Sequence, residues 1–94
     1  MKAVWNGEVI AESDNTIEVE GNQYFPPGDV NMEFLEENNE EHYTCPWKGE
    51  TRYYDVVVGD RRNSAAAWGY PDPKPAAEKI KNYKAFWRGV EVTE

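Results

Sequence analysis

The residues best suited to chemistry lie in one short segment, Cys45-Pro46-Trp47-Lys48-Gly49. A cysteine attacks or coordinates only as its thiolate, which a nearby cation stabilises. Lys48 stands three residues after Cys45 and His42 three residues before it. Either could be that cation. Pro46 fixes the local backbone, and Gly49 permits positive φ or close approach by a ligand. In the functional reading, a thiol or a lysine sits at the mouth of a pocket, with Cys45 and Lys48 catalytic if the protein is an enzyme. In the other, Cys45 is a small buried residue in a tight turn and Lys48 is solvated, since free cysteines are often buried. A Cys45–His42 dyad needs hydrogen-bond reach, which a spacing of three along an extended chain does not secure.

Aromatic side chains are the second resource, with four Trp, six Tyr and three Phe in 94 residues. These are too many for one small core, so some rings must line a groove or reach the surface. Tyr24, Trp47, Trp68 and Tyr70 stand next to Pro or Gly at expected strand ends, where ligand contacts concentrate. Together with Lys48 and Gly49 they form the expected ligand-binding set. Several motifs are missing. There is no phosphate-binding loop, dinucleotide fingerprint, nucleophile elbow, H-E-x-x-H or paired C-x-x-C. A nucleotide-polymerising site holds Mg²⁺ on clustered carboxylates, commonly Asp-x-Asp, and the nearest match is Glu18-x-Glu20.

The elements that must position these residues read mainly as strands. Asn6-Gly7 between apolar residues is a strong hairpin signal, because a type I′ turn needs positive φ at both central positions. Residues 16–20 alternate apolar and polar at period two, as a half-exposed strand does. Residues 31–36 suggest a short strand, and residues 36–41 a solvated acidic loop. The β-branched and aromatic run 51–58 suggests a central strand with Tyr53 and Tyr54 on opposite faces. Residues 59–63 read as a turn, and 64–68 as the partner strand, with helix a weaker option for the alanines. The proline-rich stretch 70–75 is an extended connector, and Pro75 suits the first position of a helix over about 75–82. Residues 85–87 and 90–92 read as strand. The sum is about seven short strands and one helix, a folded-over sheet, barrel or sandwich.

Size and charge bound the function. At 10.8 kDa the chain makes one domain, 1–94, with roughly two thirds of its unfolded surface buried. Acids outnumber bases 18 to 10, which argues against nucleic-acid binding. The excess lies in residues 1–41, which hold eleven acids and one base. The remainder holds nine bases and seven acids, leaving room for a cleft with one cationic wall. One Cys and one His cannot make a disulfide or close a four-ligand zinc site, so neither metal nor cofactor is expected. No apolar run approaches a bilayer span, and the opening residues are not those of a signal peptide. A cytoplasmic protein without membrane partners is expected, as a monomer or weak homodimer.

Several runs together resemble a known family, domain of unknown function 427. They are Trp5-Asn6-Gly7, Ile10-Ala11-Glu12-Ser13, Val19 to Pro26, Cys45-Pro46-Trp47-Lys48-Gly49, Tyr53-Tyr54, Ala67-Trp68 with Tyr70-Pro71, and Ala85-Phe86-Trp87. The resemblance covers essentially the whole chain and is strongest to short, single-domain bacterial forms. It implies a mainly β fold of folded-over antiparallel sheets, similar to the Mss4 and methionine sulfoxide reductase B group, without that group's paired zinc cysteines. The family also carries a nucleotidyltransferase-like label, which the motif search does not support. Two departures fall beside the expected pocket: Tyr43 where many members have Thr, and Gly69 where many have an aromatic residue. The leading expectation is a domain binding a small polar or anionic ligand in an aromatic-lined pocket. The alternatives are an enzyme using Cys45 as nucleophile or redox thiol, and a protein-interaction module.

Overall fold

Asn6 and Gly7 adopt φ of 50° and 78°, the left-handed pair that a type I′ turn demands. They join β1 (Lys2–Trp5) to β2 (Glu8–Glu12) as an antiparallel hairpin. In this computed structural model, which describes residues 1–94, nine strands and three short 3₁₀ turns follow in order. β3 (Ile17–Val19) and β4 (Asn22–Tyr24) form a second hairpin. β5 (Leu35–Cys45), β6 (Gly49–Val58), β7 (Arg61–Gly69) and β8 (Lys84–Phe86) build a four-stranded antiparallel sheet in chain order. β9 (Glu91–Thr93) returns to pair with β1. The result is three antiparallel sheets folded over one another in one small domain. Its accessible surface of 5424 Å² agrees with the roughly 5,500 Å² expected for the mass. No helix is long and apolar enough to cross a membrane.

Two apolar clusters hold the sheets together. The larger centres on Ile10, Phe25, Val56 and Phe86, between the β1–β2–β9 sheet and the inner face of the four-stranded sheet. The smaller gathers Tyr24, Cys45, Trp68, Tyr70, Ala77 and Ile80. Phe25 and Lys84 exchange backbone hydrogen bonds at 2.8 and 3.0 Å, tying the β3–β4 hairpin to β8 between them. Along β6 the pleat sends Tyr54 into the larger cluster, while Tyr53 packs against the smaller one. That is the alternation expected of residues 51–58.

Four local expectations are corrected. Residues 36–41 are strand, not loop. Glu36 pairs with Arg62 at 2.9 Å, Glu37 with Arg52 at 3.2 Å, and Glu41 with Arg88 at 3.7 Å. Cations from β6, β7 and the turn after β8 thus offset the repulsion that favours a solvated loop. Residues 31–36 divide between a 3₁₀ turn at Met32–Phe34 and the start of β5. The turn expected at 59–63 is confined to Gly59 and Asp60, with β7 beginning at Arg61. The expected helix is a kinked 3₁₀ element, Pro75–Ile80. Its buried residues, Ala77 and Ile80, are three apart, the spacing that a three-residue turn aligns.

Two irregularities shape the four-stranded sheet. In β5, Asn38 faces Tyr53 but Tyr43 faces Thr51, so Asn39–His42 bulge outward along the sheet edge. Bulges of this kind blunt an exposed edge. In β7, Tyr54 faces Ala67 but Val56 faces Asn63. The extra length is absorbed at Ala65, whose φ is 52°. A non-glycine residue there costs about 1–2 kcal/mol, so something must hold it. Asp55 does: its Oδ1 accepts a bond from the Ala65 N–H at 2.8 Å. Asn38 Nδ2 (2.8 Å) and Arg62 Nη1 (2.7 Å) complete the cluster around this buried carboxylate.

Candidate functional site

The strand ends converge on a cavity of about 310 Å³. Tyr24 comes from β4, Tyr43 from β5, Tyr53 from β6 and Trp68 from β7, with Tyr70 just beyond β7 and Trp87 just beyond β8. Only two of its lining residues are not aromatic: Lys48, from the β5–β6 turn, and Asn22 of β4. Register makes this convergence. Tyr53 pairs directly with Trp68, and Trp68 with Ala85. Trp87, two residues on from Ala85, comes to the same side.

The rings form a continuous wall. Trp68 meets Tyr24 edge-on, with centroids 6.2 Å apart, and Trp87 at 5.2 Å. Tyr53 stacks on Trp87 at 6.5 Å with planes 21° apart. Both indole N–H groups are used internally. Trp68 Nε1 donates to Tyr24 Oη at 3.1 Å and Trp87 Nε1 to the Ala65 carbonyl at 2.6 Å. The strained Ala65 kink therefore orients a wall ring. Burial pushes the Tyr53 and Tyr70 phenols above their ordinary value, so at neutral pH they remain protonated. Tyr43 and Trp87 are partly exposed and mark the mouth.

Lys48 is the one charged side chain on the wall, and only 6% of it is exposed. Its ammonium donates to Glu20 Oε1 and lies 5.0 Å from the Trp47 ring centroid and 5.5 Å from that of Tyr70. Burial pulls its pKa down. The Glu20 bond, with Tyr24, Tyr70 and Cys45 nearby, outweighs burial and leaves the pKa raised. The same hydrogen bond from Lys48 holds Glu20 below its ordinary value. Glu20 stands on the β3–β4 turn, where Glu20 and Gly21 have φ of 54° and 82°. Its second oxygen accepts from Trp47 Nε1 at 3.4 Å.

The expected site residues separate into two groups. Tyr24, Lys48, Trp68 and Tyr70 share the cavity wall. Trp47, Gly49 and Cys45 do not line it. Trp47 is partly exposed and packs on the outer side of Lys48. Gly49, at φ 110°, lies against the proline-rich connector, where a Cβ would come 3.4 Å from Lys74 N and 3.5 Å from the Asp72 carbonyl. Lys74 straps the same turn, its N–H donating to the Lys48 carbonyl at 3.0 Å and its Nζ to that of Pro46 at 2.7 Å. Cys45 pairs with Gly49 across the β5–β6 turn and is 5% exposed within the smaller cluster. His42 is exposed on the β5 bulge.

Asn22, Tyr43, Tyr53, Trp87 and the Lys48 partner Glu20 were not in the expected ligand-binding set, although Tyr43 was noted as a departure beside the pocket. A period-two count along 85–87 gives a signal for Trp87, and the Tyr-rich strand one for Tyr53. The other three depend on register. No group of three or more His, Cys, Asp or Glu side chains is clustered as metal ligands would be.

The fold and cavity together define a small all-antiparallel β domain with an aromatic-walled recess. The chain belongs to the family described as domain of unknown function (DUF427), whose model matches residues 1–94. No curated protein matches it significantly.

Proposed function

We propose that this domain binds a small, flat, polar organic molecule reversibly in the aromatic cavity. One observation carries this reading: six aromatic residues on or just beyond β4 to β8 face one space whose only charged wall group is Lys48. The recess of about 310 Å³ opens to solvent past Tyr43 and Trp87, so its ring faces are within reach of an occupant, and concave, aromatic-lined sites of this kind are where small ligands bind. The volume lies at the small end of ligand pockets and suits one or two rings. Ring faces would grip the flat body by stacking. With both indole N–H groups already used, phenols, the Asn22 amide and the free N–H groups of Lys48 are left to bind polar atoms of the ligand. Nothing in the geometry favours chemistry at Cys45, because its sulfur is buried in the cluster and off the wall.

The test is a titration of one- and two-ring polar compounds, followed by tryptophan fluorescence and ligand-observed NMR. Saturable binding is expected, weakened about two- to tenfold in Trp87→Ala, the loss of one aromatic partner. Compounds that bind equally well to wild type, Trp87→Ala and Lys48→Met would place the site elsewhere and refute the reading.

A further inference from the structure

The geometry points to Glu20 as the residue that sets the charge class of the ligand. By occupying Lys48, it makes the cavity a site for uncharged, acceptor-bearing rings and turns away carboxylates and phosphates of the same shape. This rests on the cavity reading above and narrows it, against the alternative that Lys48 serves as an anion receptor.

A lone buried ammonium facing an aromatic recess would attract an anion. Lys48 is not alone, since Glu20 holds it from the β3–β4 turn. Three features keep Glu20 in place. The turn conformation fixes its backbone, Lys48 bonds one oxygen, and Trp47 Nε1 bonds the other. An ammonium has three donors, so Lys48 can still offer an N–H to a ligand. Two acceptors sharing one ammonium at ordinary hydrogen-bond lengths stand only about 4–5 Å apart. A neutral carbonyl accepts that position without penalty. A ligand carboxylate there gains the attraction of the Lys48 ammonium, but repulsion from the Glu20 carboxylate near a protein surface takes back at least about tenfold in affinity, and the carboxylate must also shed its hydration among the rings. No other cation relieves that repulsion. Arg88, stacked on Trp87 at 4.4 Å, is itself paired with Glu41. The overall charge of −8 adds a repulsive field for anions. Glu20 is itself half-exposed, so its removal leaves the core intact.

The experiment compares nicotinamide with nicotinate, nearly the same shape with and without a charge. Each is titrated by ligand-observed NMR into wild type, Glu20→Gln and Lys48→Met, with thermal melts confirming that all three are folded. Wild type is expected to bind nicotinamide more tightly than nicotinate. In Glu20→Gln nicotinate should gain about tenfold, while nicotinamide changes little. In Lys48→Met nicotinamide should weaken. If nicotinamide binds wild type but Glu20→Gln leaves the ratio unchanged, the role of Glu20 is overturned and the cavity reading stands. If wild type prefers nicotinate, the role is likewise overturned. If neither compound binds any of the three at millimolar concentration, both fall.

Discussion

Replacing Asp55 by alanine removes three hydrogen bonds at once and should cost about 3 kcal/mol of stability. The largest part comes from the Ala65 N–H, which is buried and has Asp55 as its partner at 2.8 Å. Orphaning such a donor costs about 1–3 kcal/mol. Arg62 keeps Glu36 at 2.9 Å and is half-exposed, so losing its bond to Asp55 adds little. Asn38 can turn to water and contributes about 0.5–1 kcal/mol. A domain of this length holds roughly 5–14 kcal/mol in total, so the loss should lower the melting temperature by about 12–24 °C. Asp55→Asn keeps an acceptor for Ala65 but sets an N–H against Arg62, and should cost roughly half as much. Urea titration followed by tryptophan fluorescence measures both. A loss below about 1 kcal/mol in Asp55→Ala, or equal losses in the two variants, would refute the reasoning, because an orphaned buried donor is its main term. The pH dependence gives a second check. Burial raises the pKa of Asp55, but its bonds from Ala65, Asn38 and Arg62 outweigh burial and hold it below the ordinary 3.8. A carboxylate depressed on folding stabilises above its unfolded pKa, and that stability is lost as pH falls through the lower folded value. Wild type should therefore lose stability more steeply than Asp55→Asn below about pH 4.

Gly69→Ala should destabilise by about 1–3 kcal/mol in the same urea assay, because its Cβ would stand 2.5 Å from the Tyr83 carbonyl oxygen and 3.2 Å from Lys84 Cδ. Gly69 separates Trp68 from Tyr70, so the strand shift should also weaken cavity binding; an unchanged urea midpoint would contradict the predicted clash. Cys45 should resist iodoacetamide in the native protein and react readily in urea, read by mass spectrometry, since its side chain is buried in the smaller cluster. Native modification as fast as in the unfolded chain would restore a reactive-thiol role.

The departures noted at Tyr43 and Gly69 have separate structural meanings. Tyr43 adds a ring at the cavity mouth. Gly69 lets β8 come so close that any side chain at this position must displace the backbone of Tyr83. An aromatic residue there requires a differently spaced β7–β8 pair. Family members with an aromatic at this position are therefore expected to have a differently shaped cavity.

Local chemistry along the chain determines much of this protein. The Asn6-Gly7 turn follows from residues that tolerate positive φ, and the pleat of 51–58 follows from side-chain alternation. The break at 70–75 follows from prolines that fix φ and donate no hydrogen bond. Four cavity residues, Tyr24, Lys48, Trp68 and Tyr70, were legible because they adjoin turns and breaks. The acidic run 36–41 was not legible as strand, since its stabilising cations, Arg52, Arg62 and Arg88, lie 15, 26 and 47 positions from their partners. The role of Asp55 needs the bulge at Ala65, which no local pattern announces. The pairing of Lys48 with Glu20, 28 residues apart, exists only because the β3–β4 hairpin folds over the β5–β6 turn. Propensity acts between neighbours in sequence, whereas charge and register act between neighbours in space. Tertiary structure alone therefore decided which aromatic residues share a wall, and that the lysine among them already has its counterion.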